Sequence, residues 1–539
     1  MAHVGCRAEK RSCEYNRAVP QQLQAKRSNN DRSDAWRQIR NSPPEEDEDF
    51  ELPPNNRHPT TSQILPPVHP PLPRHSLFQE LGSMNSSPQR GNSNGSQQQS
   101  ELQRIESLCN TLYNGDNPQQ QQDAQAQLNL LQSSVSQIPL CQYVLDNSQN
   151  PYAILVASEA LTKLVTNSWN HFKTAQRIVI RDYLLSFLGK KGPQLAQAAN
   201  FVVTSIIKLL CRITRLGWFD DEKHQDLTNQ CKKFLQATVP HCIIGLQILE
   251  ELTVQMNLKQ ANETVSQQRK HAVNYRDASL LATFQIALTM LQQLLAGKVS
   301  QATPEQILQI KKRALGLGIR CLSFDFIGMQ PDDSIEDNET IQIPSTWRSL
   351  VVDPATMQLM TRMYLESEPA QATLAMELLM LWSSCRRSVF VREEDRTNFL
   401  SELMNSILMI LKSKQGLSHE QNYHAFCRLL GRIKNNFQLT ELLQANQWTE
   451  FSKEITAFTV QSFQNWQWSK NSELVVGGCW LVVGGWWLVH LLSLLLKKMC
   501  LLPNSLIETN NHKKQKSFFF FPHLFFFSIL PLSLLSPPV

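Results

Sequence analysis

The stretch FVVTSIIKLLCRITRLGWFDDE, residues 201–222, places Val202, Ile206, Leu209, Leu210, Ile213 and Leu216 at helical spacing. At 100° per residue these side chains share one face of a helix. Gly217 follows where a glycine ends such a helix. Lys208, Arg212 and Arg215 fall at i, i+4 and i+7 on another face, so one helix is expected to pack on its neighbours and offer a basic ridge. Trp218 and Phe219, followed by Asp220, Asp221 and Glu222, form an aromatic and acidic end that either caps the unit or grips a partner.

The same period extends outward. Ile180, Tyr183, Leu184, Phe187 and Leu188 stack on one face of a preceding helix, which Gly189 and Gly192 are expected to stop. Leu281, Phe284, Leu288, Leu291 and Leu295 make a later stripe, answered by Ile307, Ile310, Ala314, Leu317 and Cys321 across a turn containing Gly297 and Pro304. Further pairs lie around Leu374 to Trp382, Leu400 to Leu411 and Phe426 to Leu439. Helix pairs therefore recur at roughly 40-residue intervals, the period of HEAT-type arrays, in which each pair buries its apolar face only against its neighbours. A compact bundle is the alternative, but the acidic loop Pro331 to Thr340 (PDDSIEDNET) is too long for tight packing. The expected fold is all-α, a HEAT-repeat-type α-solenoid, with repeats over 101–222 and 223–470.

The flanks differ. Residues 1–100 are rich in Pro, Gln, Ser and Asn, with an acidic run from Glu45 to Asp49, and bury too little apolar surface to offset ordering entropy; they read as a disordered arm. Pro66 to Arg74 (PPVHPPLPR) fits a polyproline II ligand, although an inert proline-rich tail is the commoner meaning. Met84 is a plausible alternative start. Residues 471–539 form a hydrophobic low-complexity tail. Leu474 to Leu496 lacks Asp, Glu, Lys and Arg and ends before Lys497 and Lys498, which meets the length and polarity of a membrane span. The near-duplication VVGGCWL/VVGGWWL at 475–488 and the Phe, Leu, Ser and Pro tail from Ser517, whose codons are pyrimidine-rich, favour translated non-coding sequence over an anchor.

A formal charge of +5, from 52 Lys and Arg against 47 Asp and Glu, gives no global pull on nucleic acid. The 12 cysteines include no CxxC pair and fit reduced, buried thiols, and the N-terminus lacks the apolar core of a secretory signal. Gly189 to Gly192 lacks the spacing and hydroxyl of a phosphate loop, and no GxSxG elbow is present. His419, Glu420 and His424 set two histidines five apart, off the common face a zinc pair needs. His241 and Cys242 are adjacent and point apart on a helix, so they read as packing residues. Neither an enzyme, a metal site nor a cofactor is expected.

In the 201–222 stretch the chain resembles the exportin-7 and Ran-binding-protein branch of the importin-β superfamily: CRITRLGWFD at Cys211 to Asp220 is similar to that family's ARITKLGWFD. Blocks in the same order are ALTKLV from Ala160, CIIG from Cys242, LSFDFIG from Leu322, IPSTWRS from Ile343, NYHAFCRLL from Asn422 and FTV from Phe458, and Ala124 to Val165 resembles the importin N-terminal domain. The resemblance implies a solenoid receptor, not an enzyme. It would bind Ran in its GTP form together with protein cargo, meet nuclear pore proteins, and shuttle between nucleus and cytoplasm. It implies early Ran contacts on residues 124–222, within which the helical face selects Lys208, Arg212 and Arg215, and the aromatic end beyond Gly217 adds Trp218 and Phe219. The family begins near the equivalent of Ser100 and continues through about as many repeats again where this chain has Leu474 to Val539, which puts export competence in question. A membrane-tethered helical scaffold held by residues 474–496 is the alternative, with membrane localisation.

Overall fold

The computed structural model describes residues 94–260, 263–299, 301–326 and 340–465. The polyproline segment, Met84, nearly all of the acidic loop from Pro331 and the window Leu474 to Leu496 lie outside them. The described helices are α1 (Asn94–Asn114), α2 (Pro118–Asn129), α3 (Ile138–Asn147), α4 (Pro151–Asn167), α5 (Thr174–Ala198), α6 (Asn200–Leu216), the short α7 (Glu222–Gln225), α8 (Leu227–Gln236), α9 (Val239–Asn257) and α10 (Val265–Tyr275). They continue with α11 (Leu281–Leu295), α12 (Pro304–Leu322), the short α13 (Arg348–Val352), α14 (Pro354–Leu365), α15 (Pro369–Ser383), α16 (Glu393–Ser413), α17 (Glu420–Asn436), the short α18 (Leu439–Gln444) and α19 (Trp448–Asn465). Helix begins at Asn94, ahead of the Glu101 boundary expected from composition.

Antiparallel pairing sets the layers. α3 packs on α4, α5 on α6, α8 on α9, α11 on α12 and α14 on α15. The second members stack in one row, α4, α6, α9, α12, α15 and α17, while α11, α14, α16 and α19 follow one another in the other. This is the all-α HEAT-type solenoid that the stripes predict, with one continuous apolar core from Leu102 to Ile455. Repeat-on-repeat burial of this kind makes each pair depend on its neighbours.

Local chemistry explains several boundaries. Asn150 accepts the Tyr152 N–H and caps α4, with Pro151 opening the helix. Thr303 and Gln306 form a capping box at α12, also behind a proline. Gly297 ends the α11 connection at φ +65, where a side chain would be strained.

The glycines of α5 do not act as expected. The helix runs through Gly189, Gly192 and even Pro193 to Ala198. Gly192 is a packing position: a Cβ there would lie 2.8 Å from Ile244 Cδ1 on α9. Pro193 supplies no N–H for the Gly189 carbonyl, and His241 Nε2 lies 2.9 Å from that oxygen instead. Composition shows a stop; tertiary contacts have turned it into a continuous helix.

α10 and α11 are joined by a π-helical turn, Arg276–Leu280, into one helix, Val265–Leu295. That helix is long and apolar enough to cross a membrane, but Leu280, Phe284, Ala287 and Leu291 are all at 0% exposure in the core. Phe284 stacks with Trp382 at 5.5 Å and with Trp347 at 5.1 Å, which ties α11 to α15 and to the segment before α13.

Candidate docking surface

The C-terminal end of α6 is covered. Arg215 is 2% exposed and donates to the Gln255 carbonyl, the Glu263 carboxylate and the Gln268 side-chain oxygen. Glu263 also accepts from the Gln260 N–H at 3.3 Å and faces His271 Nδ1 at 3.0 Å. Burial lowers the Arg215 pKa and the Glu263 charge opposes that shift, as a buried ion requires. Trp218 is also fully buried, its indole N–H donating to Asn274 Oδ1 at 2.7 Å and its ring edge-on to Tyr275.

The expected basic ridge is therefore corrected: Arg215 and Trp218 do not stand on an exposed face. The i, i+7 spacing does align Lys208 with Arg215, but Gln255 near the end of α9, Glu263, and Gln268 in α10 close over the last turn of α6. Lys208 is exposed, and Arg212 is half-buried with no ion pair or hydrogen bond among the described residues. Burial lowers the Arg212 pKa, and nearby Glu263 pulls the other way. Phe219 is 41% exposed, tilted against the His271 ring and beneath Lys270 Nζ, 4.3 Å from its centroid.

The turn after α6 is fixed from behind. Asp220 pairs with Arg177 at 2.6 Å, and that guanidinium lies over Trp169 at 4.7 Å. Gly217 has φ −88, so it is no left-handed cap; a Cβ on it would lie 2.4 Å from His224 Nε2. His224 is fully buried, and burial, with Arg181 next, pushes its pKa down to about 4. It is neutral at physiological pH.

A second surface feature escapes the sequence. Tyr113 near the end of α1, Tyr152 at the start of α4 and Phe201 at the start of α6 form a stacked row. Centroids lie 4.3 Å apart for the tyrosines and 5.7 Å for Tyr152 and Phe201. Tyr113 and Phe201 are each 43% exposed. Ser158 and Ser205 hydroxyls meet at 2.6 Å and fix the register of α4 on α6 below the row. One signal was available: Phe201 shares the polar face of Lys208 by its i, i+7 spacing and stands outside the apolar stripe.

His419 precedes α17, and His424 Nε2 lies 3.7 Å from Glu420 within that helix's first turns. Among the described residues no group of three His, Cys, Asp or Glu side chains is placed to hold a metal. Cys242 is buried while His241 reaches α5, so the two point apart.

Comparison with known proteins adds identity to this geometry. The Importin-beta N-terminal domain matches residues 124–190, from α2 into α5. The chain is 37% identical over 378 residues to Ran-binding protein 17 of Homo sapiens, covering 69% of this chain and 34% of that protein. It is 37% identical over 375 residues to Exportin-7-B of Xenopus laevis, with the same shares, and 31% identical over 274 residues to Exportin-7 of Dictyostelium discoideum, 51% and 26% respectively. The chain thus spans about a third of the length of the first two of these relatives. With its N-terminal domain, its paired helices and its extended identity all in agreement, the chain belongs to the exportin-7 branch of the importin-β superfamily.

Proposed function

We propose that this protein is a nuclear transport receptor that binds Ran in its GTP form together with protein cargo and carries that cargo out of the nucleus through the pore. The observation that carries the reading is the 37% identity, over 69% of the chain, to proteins named Ran-binding protein 17 and Exportin-7-B. In linkage terms, Ran-GTP and cargo each stabilise the receptor shape that binds the other, so neither needs catalysis by the receptor.

Lys208 and Arg212 are the proposed Ran-contacting cations, with Phe219 at the end of the same surface. Arg215 and Trp218 serve behind them, holding the end of α6 in place. Arg212 is the stronger candidate because a half-desolvated cation gains more from a partner carboxylate than a fully exposed lysine does.

The test is binding of the full chain to Ran loaded with GTP or GDP. Selective binding of the GTP form, weakened about 10-fold or more by Arg212→Glu and less by Lys208→Glu, supports receptor and site. Selective binding untouched by both reversals keeps the receptor and discards the cations. Equal or absent binding to both nucleotide forms ends the Ran reading.

A further inference from the structure

Six buried polar atoms that lack a hydrogen-bond partner among the described residues fall at one place. They are Arg181 Nε and Nη2 on α5, Thr214 Oγ1 on α6, His224 Nδ1 and Nε2 on α7, and Thr228 Oγ1 on α8. Arg181, Thr214 and His224 are at 0% exposure and Thr228 at 4%. Buried polar groups are paired almost everywhere in folded proteins, so a cluster of this kind calls for a partner that is not a protein side chain.

Helix register brings the four residues together. The Arg177–Asp220 ion pair fixes the antiparallel alignment of α5 with the end of α6. Arg181, one turn on from Arg177, is thereby level with Leu216 and within one turn of both Thr214 and Gly217. Gly217 faces His224, since a Cβ on it would meet Nε2, and Thr214 stands three residues earlier on the same side of α6. The Arg181 charge acts on both His224 and Cys231. Thr228 lies between those two, four residues after the first and three before the second, and α7 runs into α8 through Asp226 in helical conformation.

Charge decides what fits. Arg181 donates to Asp182 Oδ1 at 2.5 Å and Arg177 to Asp220, while Asp221 adds a third carboxylate near His224. Two guanidiniums against three carboxylates leave no net positive charge to hold an anion. Burial, with Arg181 next, keeps His224 neutral, so one of its nitrogens donates and the other accepts. The Arg181 N–H groups only donate, and each threonine hydroxyl does either. Water accepts and donates at once, and a buried water makes about three hydrogen bonds, so six atoms match about two waters.

We propose that Arg181, Thr214, His224 and Thr228 form a buried water site, whose ordered waters accept from Arg181 and donate to the free nitrogen of His224. The waters complete the junction of α5, α6, α7 and α8 behind the 217–221 turn. The position of Phe219, which that turn carries, therefore depends on them.

The first test is a crystal structure of the full chain at a resolution that shows ordered water, with a second crystal soaked in bromide. The expected result is density within about 3.2 Å of an Arg181 nitrogen and a His224 nitrogen, and no anomalous bromide signal there. Bromide at that place overturns water in favour of an anion, and direct bonds among the four side chains overturn the site itself. Thr214→Val and Thr228→Val, alone and together, give an independent answer in urea unfolding. Removing a hydroxyl that nothing bonds should stabilise the chain, whereas removing one held by water should raise the unfolding equilibrium constant, by about 3-fold or more for each variant. The two changes together should fall short of the product of their separate effects, because they release the same waters. Variants as stable as the parent chain or more so, or effects that simply multiply, overturn the proposal even where crystals fail.

Discussion

His241 Nε2 sits 2.9 Å from the Gly189 carbonyl, the acceptor that Pro193 leaves without a helical N–H donor. A carbonyl oxygen only accepts, so Nε2–H is the donor, and the other ring nitrogen, Nδ1, lies 2.7 Å from the Thr238 hydroxyl. His241→Ala should therefore cost about 1–2 kcal/mol and raise amide exchange around the middle of α5. Pro193→Ala in the same chain returns the missing N–H. The double variant should lose less than the sum of the single effects in denaturant unfolding.

His224 makes stability depend on pH. Its folded pKa, about 4, lies below the ordinary 6.5, so its contribution is complete above pH 6.5 and is lost as the pH falls toward 4. The charges facing it are Arg181 and Arg177, which lower the pKa, and Asp220 and Asp221, which raise it. Over that window the chain should lose about 3 kcal/mol. His224→Gln should flatten this part of the stability profile; an unchanged slope would mean that another group controls it.

Glu263 is the only carboxylate on the buried Arg215 guanidinium among the described residues. Glu263→Gln leaves that cation without its counter-charge and should destabilise by about 3 kcal/mol. Arg215→Met, which removes the charge and keeps the stem packed, should cost less. Urea unfolding of the two variants side by side measures the order, and a larger loss for Arg215→Met would contradict it.

Arg396 is the corresponding rivet at the other end. Only 4% exposed, it pairs with Glu441, donates to the Asn436 carbonyl at 2.7 Å and lies 4.5 Å above Phe437. Burial alone would raise the Glu441 pKa, but its hydrogen bonds with Arg396 and the Gln438 N–H override that and hold it low. Arg396→Ala should cost about 3–5 kcal/mol and raise amide exchange in α18 and α19 before it does so in α4 or α6.

The helical fold was legible because apolar spacing records which face is buried: the stripes at Val202 to Leu216 and Leu281 to Leu295 coincide with α6 and α11. Helix termination was less so. Gly192 and Pro193 carry breaker chemistry, and only the contacts with Ile244 and His241 show why the helix continues. The site was legible in part. Spacing placed Lys208 and Arg215 on one face, but no local pattern reveals that Glu263 and Gln268 arrive from a later segment to bury Arg215. Tyr113, Tyr152 and Phe201 belong to three helices, so their stacking is a property of repeat register rather than of any single window.

The π turn at Arg276–Leu280 also limits how this region can change length. Gln268, Ala272, Tyr275, Ser279, Thr283, Ala287 and Leu291 are buried at steps of three or four that average wider than 3.6, a straight seam that an unbroken α-helix would wind away from. The extra residue in the turn resets that winding. Deleting one residue there would leave the hydrogen-bonded ladder whole, yet rotate α11 by about 100° relative to α10 and swing Phe284 off Trp382. The irregular turn thus acts as a phase corrector, and a one-residue deletion should be far more damaging there than in the α11–α12 connection.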